Sequence, residues 1–194
     1  MLLIRYLHAT YLAGTKILSI ETQKTAIVTG AAGFIGYHIA NTLLSEGWKV
    51  IGLDCMNNYY DVSLKERRES ILLENASYRS LHEKVETPNV LMELFEEERP
   101  NVVIHLAAQA GVRYSIENPR AYLESNICGT FELLEAARAF PPEHILIAST
   151  SSVYGSNEDM PYTETVKADH QMSFYAATKK STENMAHSYA HLYH

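Results

Sequence analysis

Cysteine is scarce in this sequence: Cys55 and Cys128 are the only two among 194 residues. They form no C-x-x-C pair, so no disulfide framework is expected, and a reducing, cytoplasmic compartment is the plain reading. Positive charge is also in short supply. The chain has 16 Lys and Arg against 23 Asp and Glu, a formal net charge of −7. That balance argues against a nucleic-acid partner, whose phosphates need a basic face. No run of about 18 apolar residues is free of charge, so no membrane-spanning helix is expected. Internal repeats and low-complexity tracts are missing as well. What remains, 46% hydrophobic and 20% charged, suits one globular unit with a sizeable core, not two.

Met1 to Ile20 holds Arg5, His8 and Lys16 and no acid. His8, Thr10 and Thr15 interrupt its apolar residues, which argues against a secretory signal. An organellar presequence fits weakly, and residues 1–23 are expected to be an N-terminal extension. From Lys24 the pattern changes. Short β-branched runs predict strands at Thr25–Thr29, Lys49–Leu53, Tyr78–Leu81, Asn101–Leu106 and His144–Ala148. Helical spacing predicts helices at Gly33–Glu46, Val62–Leu73, Asn89–Glu98 and Pro119–Phe140, with a last one from Ser173. Strands alternating with helices predict right-handed βαβ units. The fold class is therefore α/β, a doubly wound, Rossmann-like parallel sheet in three layers.

Thr29-Gly30-Ala31-Ala32-Gly33-Phe34-Ile35-Gly36 joins the first strand to the first helix. Gly30 permits the tight turn, Gly33 lets a pyrophosphate approach, and Gly36 lets the helix pack on the sheet. The helix N-terminus offers free N–H groups to phosphates. Asp54, at the end of the second strand, lies where a carboxylate can accept both adenosine-ribose hydroxyls. It would repel a 2′-phosphate, so NAD is favoured over NADP. An ordinary βα turn with a surface Asp is the plain alternative.

Four motifs then occur in order: Gly30-x-x-Gly33-x-x-Gly36, Leu106-Ala-Ala108, Thr150-x-x-Val-Tyr-Gly155 and Tyr175-x-x-x-Lys179. Together they resemble the extended short-chain dehydrogenases/reductases from about Thr25 to the end. Asp54-Cys-Met-Asn-Asn-Tyr-Tyr-Asp61, Leu64-Lys-Glu-Arg67 and Gln109-Ala-Gly-Val-Arg-Tyr-Ser115 resemble the UDP-glucuronate 4-epimerases within that superfamily. Tyr175 and Lys179 are one helical turn apart on a shared face, and an ammonium beside a phenol favours phenolate. Tyr175 can then take a proton from a sugar hydroxyl. Thr150, just past the fifth strand, can bond the reacting oxygen. Alone, Tyr and Lys at this spacing are common on solvated helices.

By resemblance, Lys179 also bonds the nicotinamide ribose. Phe34 and Ile35 flank the pyrophosphate, and Asn58 helps hold the adenosine ribose. Leu106, Ala107, Ala108 and Ala110 lie against the cofactor, Ser149 sits beside the nicotinamide, and Asn126 meets the cofactor and supports Lys179. Many relatives bind adenine with an Asp after the third strand. This chain carries Lys84-Val85 there, and lysine cannot accept that hydrogen bond.

Ser151 and Ser152 bear on the reaction. Sugar dehydratases carry acids at these positions and decarboxylases usually carry one. Hydroxyls alone can hold a substrate carboxylate without repelling it, or merely line a polar turn. Arg113 meets a substrate anion or caps a surface loop. His187, His191 and His194 follow Glu183 at helical spacing, but the relatives need no metal and none is expected. That face suits packing in a homodimer.

The resemblance implies a further strand and a smaller C-terminal substrate domain, so residues 24–194 are expected to be an NAD-binding domain truncated at its C-terminal end. The implied activity is a nucleotide-sugar 4-epimerase of polysaccharide biosynthesis, turning UDP-glucuronate into UDP-galacturonate by transient C4 oxidation with tightly bound NAD. A related decarboxylase or dehydratase, or a non-catalytic dinucleotide-binding fragment, is the alternative. A UDP-sugar is the expected partner.

Overall fold

The structure, a computed structural model, describes residues 7–12, 15–20 and 23–193. The remainder of the expected extension, and His194, lie outside the described residues. Within the extension, β1 (Leu7–Leu12) and β2 (Thr15–Ile20) pair antiparallel, with Leu7 opposite Ile20.

The five expected strands form one parallel sheet. They are β3 (Thr25–Thr29), β4 (Lys49–Leu53), β5 (Tyr78–Leu81), β6 (Val102–His105) and β7 (His144–Ile147). Their order is β5-β4-β3-β6-β7, so the winding reverses between β3 and β6. Every residue of β3 is buried, which explains its continuous apolar character. Successive residues point to opposite faces. Ile27 joins Ile51, Leu91, Phe95, Val103 and Leu133 in one core, while Val28 joins Ala40, Leu44, Val50 and Leu72 in the other. The first core lies under α3 (Val90–Glu98) and α6 (Gly129–Ala139), and the second under α1 (Phe34–Ser45) and α2 (Val62–Leu73). These are the three layers of the expected fold.

The register sets where the site lies. Thr29 is level with Leu53 on one side and with His105 on the other, and His105 is level with Ile147. The residues that follow, Gly30, Asp54, Leu106 and Ala148, therefore leave the sheet side by side at its carboxyl edge. In open α/β sheets, this edge at the strand-order reversal is where ligands bind.

The expected continuous helix over Pro119–Phe140 is corrected by the structure. A short α4 (Tyr114–Glu117) precedes α5 (Pro119–Tyr122), a π-helical turn follows over Leu123–Cys128, and only then does α6 begin. Asn118 caps α5 by accepting from Ala121 N–H at 3.4 Å. The π turn accommodates an inward Asn126, whose amide is claimed by a loop from another strand. Periodicity carries no trace of such a long-range bond. A 3₁₀ turn over Ser151–Tyr154 follows β7, and α7 (Phe174–Tyr193) closes the chain.

Candidate active site

The loop after β3 is shaped by close approach of main chain to main chain. Gly30 has φ +72°, and a Cβ there would lie 2.9 Å from Ala107 N. A Cβ on Gly36 would lie 2.1 Å from Gly30 O. Neither position admits another residue without moving backbone. Gly33 is the N-cap of α1 without a side-chain cap, and the first turn of α1 carries no acid. Its leading N–H groups are left without a side-chain acceptor. Phe34 and Ile35 stand exposed at this turn, 66% and 60% accessible, as residues flanking a bound group would.

Asp54 is buried and engaged. One carboxylate oxygen accepts from Ala32 N–H at 3.2 Å, and the other from Met56 N–H at 2.9 Å and Lys65 Nζ at 3.3 Å. Lys65 is itself buried and donates to Asn57 Oδ1 at 3.1 Å. Asp54 is therefore not the lone negative charge its sequence position indicates. Asn58 is exposed and makes no side-chain hydrogen bond among the described residues; Asn57 joins the pair.

The turn after β6 hangs from one threonine. Thr29 Oγ1 accepts from Leu106 N–H at 3.2 Å and Ala107 N–H at 3.1 Å. With both acceptor sites taken, its proton goes to His105 Nδ1 at 2.8 Å. Nε2 then carries the imidazole proton toward Thr130 Oγ1 at 3.3 Å. Complete burial pushes His105 down to about 3, with the nearby Lys179 charge acting the same way, so the ring is neutral. Ala108 is half-buried and Ala110 exposed in the following loop. Tyr122 directs its hydroxyl at the carbonyls of Ala110, at 2.8 Å, and Gly111.

Asn126 ties this loop to α7. Its Oδ1 accepts from Gln109 N–H at 2.8 Å, and its Nδ2 donates to Gln109 O at 3.1 Å and Thr178 Oγ1 at 3.0 Å. Among the described residues it makes no hydrogen bond to Lys179; it reaches the adjacent residue instead.

Lys179 is 3% exposed. Burial pushes its ammonium down to about 8, and the Glu183 carboxylate pulls it back upward. Among the described residues neither Lys179 Nζ nor the Tyr175 hydroxyl has a hydrogen-bond partner. The Tyr175 ring packs edge-on against Tyr122, centroids 5.8 Å apart. The 3₁₀ turn packs against α7. Thr150 caps that turn, its Oγ1 accepting from Ser152 N–H at 3.2 Å. Ser149 donates to Glu183 Oε1 at 2.5 Å, and Lys180 pairs with Glu183 at 3.0 Å. Ser151 is exposed and Ser152 half-buried beside Thr150. Arg113 is exposed at the start of α4, with no side-chain bond among the described residues.

Several contributors escape sequence reasoning. Lys65 enters it only inside a family motif, and Arg68 not at all. Glu183 enters only through its spacing to the histidines. Among the described residues no three His, Cys, Asp or Glu side chains are grouped to hold a metal, and no helix is long and apolar enough to cross a membrane.

The profile of the family described as GDP-mannose 4,6 dehydratase matches residues 27–194. The chain belongs to that family. A probable UDP-glucuronate 4-epimerase of Rhizobium meliloti (strain 1021) is 53% identical over 167 residues, 86% of this chain and 49% of that protein. Protein CapI of Staphylococcus aureus is 52% identical over 168 residues, 86% of this chain and 50% of that protein. The crystal structure of UDP-glucuronic acid 4-epimerase from Bacillus cereus, in complex with UDP-glucuronic acid and NAD, superposes with a TM-score of 0.81 at 33% identity. That match covers 88% of this chain and 53% of that one. The chain thus spans about half the length of these relatives.

Proposed function

We propose that this chain is the NAD-binding part of a nucleotide-sugar 4-epimerase acting on UDP-glucuronate. One observation carries the reading: Lys179, a buried residue whose ammonium reaches solvent and has no hydrogen-bond partner among the described residues, lies one helical turn from Tyr175, on the helix that packs against the Thr150 turn at the sheet's carboxyl edge. The glycine cradle, the uncapped start of α1 and the buried Asp54 fit a dinucleotide at that edge. Gly33 would admit the pyrophosphate, Asp54 would take the adenosine ribose, and Lys179 would bond the nicotinamide ribose. When bound, NAD supplies a hydride acceptor and donor for C4 of the sugar. Tyr175 accepts the proton of the C4 hydroxyl as that carbon is oxidised and returns it when the carbon is reduced on its other face. Lys179, about 8 and so mostly protonated at neutral pH, stabilises the phenolate charge. Thr150 holds the reacting oxygen. Ser151 and Ser152 would offer hydroxyls to the substrate carboxylate, and Arg113 would meet a substrate anion. A homodimer is proposed for the whole protein.

The test joins this chain to the C-terminal half of the Rhizobium meliloti relative and supplies UDP-glucuronate. Conversion to UDP-galacturonate without accumulation of free NADH is expected, and Tyr175→Phe should abolish it while leaving NAD binding near normal. Undiminished turnover in Tyr175→Phe refutes the assigned base. Stoichiometric release of carbon dioxide places the chain with the decarboxylases instead. No turnover, with Tyr175→Phe indistinguishable from the parent, favours a non-catalytic binding fragment.

A further inference from the structure

We infer that Lys65 and Arg68 form a latent phosphate-binding pair beside the adenosine-ribose position, and that Asp54 keeps it closed by holding Lys65. This rests on reading the glycine loop as a dinucleotide site. The two cations lie three residues apart on α2, so they share one face. Lys65 Nζ is 3.3 Å from Asp54 Oδ1, 3.1 Å from Asn57 Oδ1 and 4.9 Å from the centroid of the Tyr60 ring. Arg68 Nη1 donates to Ala32 O at 3.3 Å, with its guanidinium 5.9 Å from the Phe34 ring centroid. Asp54 takes the N–H of the same Ala32 at 3.2 Å. Asp54 and Arg68 thus close on one residue of the glycine loop, with Lys65 held behind Asp54.

Among the described residues, the acid paired with Lys65 is Asp54. Glu69, the buried acid of α2 four residues on from Lys65, is bonded by Ser80 and by His82 at 2.6 Å, and Glu66 is exposed. A 2′-phosphate is disfavoured here because Asp54 occupies the ammonium that would bind it. Freeing Lys65 leaves a point charge and a planar fork on one helix face, the two ways proteins bind phosphate.

Calorimetry of NAD and NADP on the purified chain tests this. Asp54→Asn keeps the shape and an oxygen for Ala32 N–H while releasing Lys65. NADP should then bind about tenfold tighter or more, the worth of one hydrogen bond to a charged group, while NAD weakens. Adding Lys65→Gln to Asp54→Asn should cancel the gain. Arg68→Gln alone, with Asp54 in place, should lower the NADP-to-NAD affinity ratio several-fold. Equal weakening of both dinucleotides by Asp54→Asn, or a gain that survives Lys65→Gln, overturns the inference. If Asp54→Asn does not fold, by circular dichroism, the Arg68→Gln ratio decides, and an unchanged ratio overturns it. A wild-type chain that binds neither dinucleotide overturns the proposed function along with this inference. NAD binding with ratios unmoved by all three variants overturns this inference alone.

Discussion

Lys179 shows what one functional side chain costs the fold around it. The residue is 3% exposed; its ammonium has no hydrogen-bond partner among the described residues but keeps contact with solvent, and burial brings it from 10.5 down to about 8. The unfolded chain therefore holds a proton more firmly than the folded one. Between about pH 8 and 10.5 the unfolded state binds more protons, so stability rises with pH across that window. The penalty is full below 8 and gone above 10.5. Lys179→Met keeps the length and removes the charge. It should stabilise the chain at pH 7 by on the order of 3 kcal/mol, the worth of such a shift, with the advantage fading as pH rises through the window. Urea denaturation at pH 7 and pH 10 measures both. A Met variant less stable than the parent at pH 7 would show that Lys179 is satisfied in the folded chain. The group best placed to bind a ligand is thus one the fold would be firmer without, as a site poised for its ligand requires.

At the level of elements, the π-helical turn over Leu123–Cys128 is where local pattern and tertiary demand part. Pro119 to Phe140 carries helical spacing throughout, and the α5 and α6 ends obey it. Between them Asn126 exchanges two hydrogen bonds with the Gln109 main chain, 17 residues away, and a third with Thr178. Such widened turns recur at functional sites. Asn126→Leu fills the space but leaves the Gln109 N–H and carbonyl without those partners. It should cost about 1–3 kcal/mol and speed amide exchange at Gln109 above that of β3. Unchanged exchange at Gln109 would mean that the loop holds itself. The same contrast marks what was legible beforehand. Strands β3 to β7 and the Val62–Leu73 helix stand where alternation and spacing put them, because burial of apolar faces writes those periods into the chain. The glycine loop was legible because Gly30 and Gly36 are demanded by backbone contacts. Lys65 was not: a lysine in a charged helix reads as solvated, and only the neighbouring strand turns it inward to Asp54. Glu183 and the Thr29–His105–Thr130 chain were hidden for the same reason, each joining residues far apart in sequence.

Across the whole molecule, the sheet is sealed unevenly. β3 is wholly buried, while β7 at the far edge alternates exposed and half-buried residues, with Leu146 48% accessible. Beside it a cleft of about 440 Å³ opens between α6 and α7, lined by Leu134, Ala137, Ile145, Ile147, Ala186 and Tyr189. Leu192 and Tyr193 are exposed at the end of α7. An apolar cleft next to a strand edge that is unpaired among the described residues is surface that monomers rarely leave uncovered. The net charge of −7 opposes indiscriminate clumping but not a specific contact. Light scattering at tens of micromolar, roughly the range of moderate dimers, should therefore find a dimer or larger soluble species. Leu192→Glu should shift it toward monomer, because that side chain is 60% accessible and a charge there need not disturb the core. A parent chain that runs as a clean monomer at this concentration removes the case for association. A Leu192→Glu chain that associates as strongly as the parent moves the contact from the end of α7 to the open edge of β7.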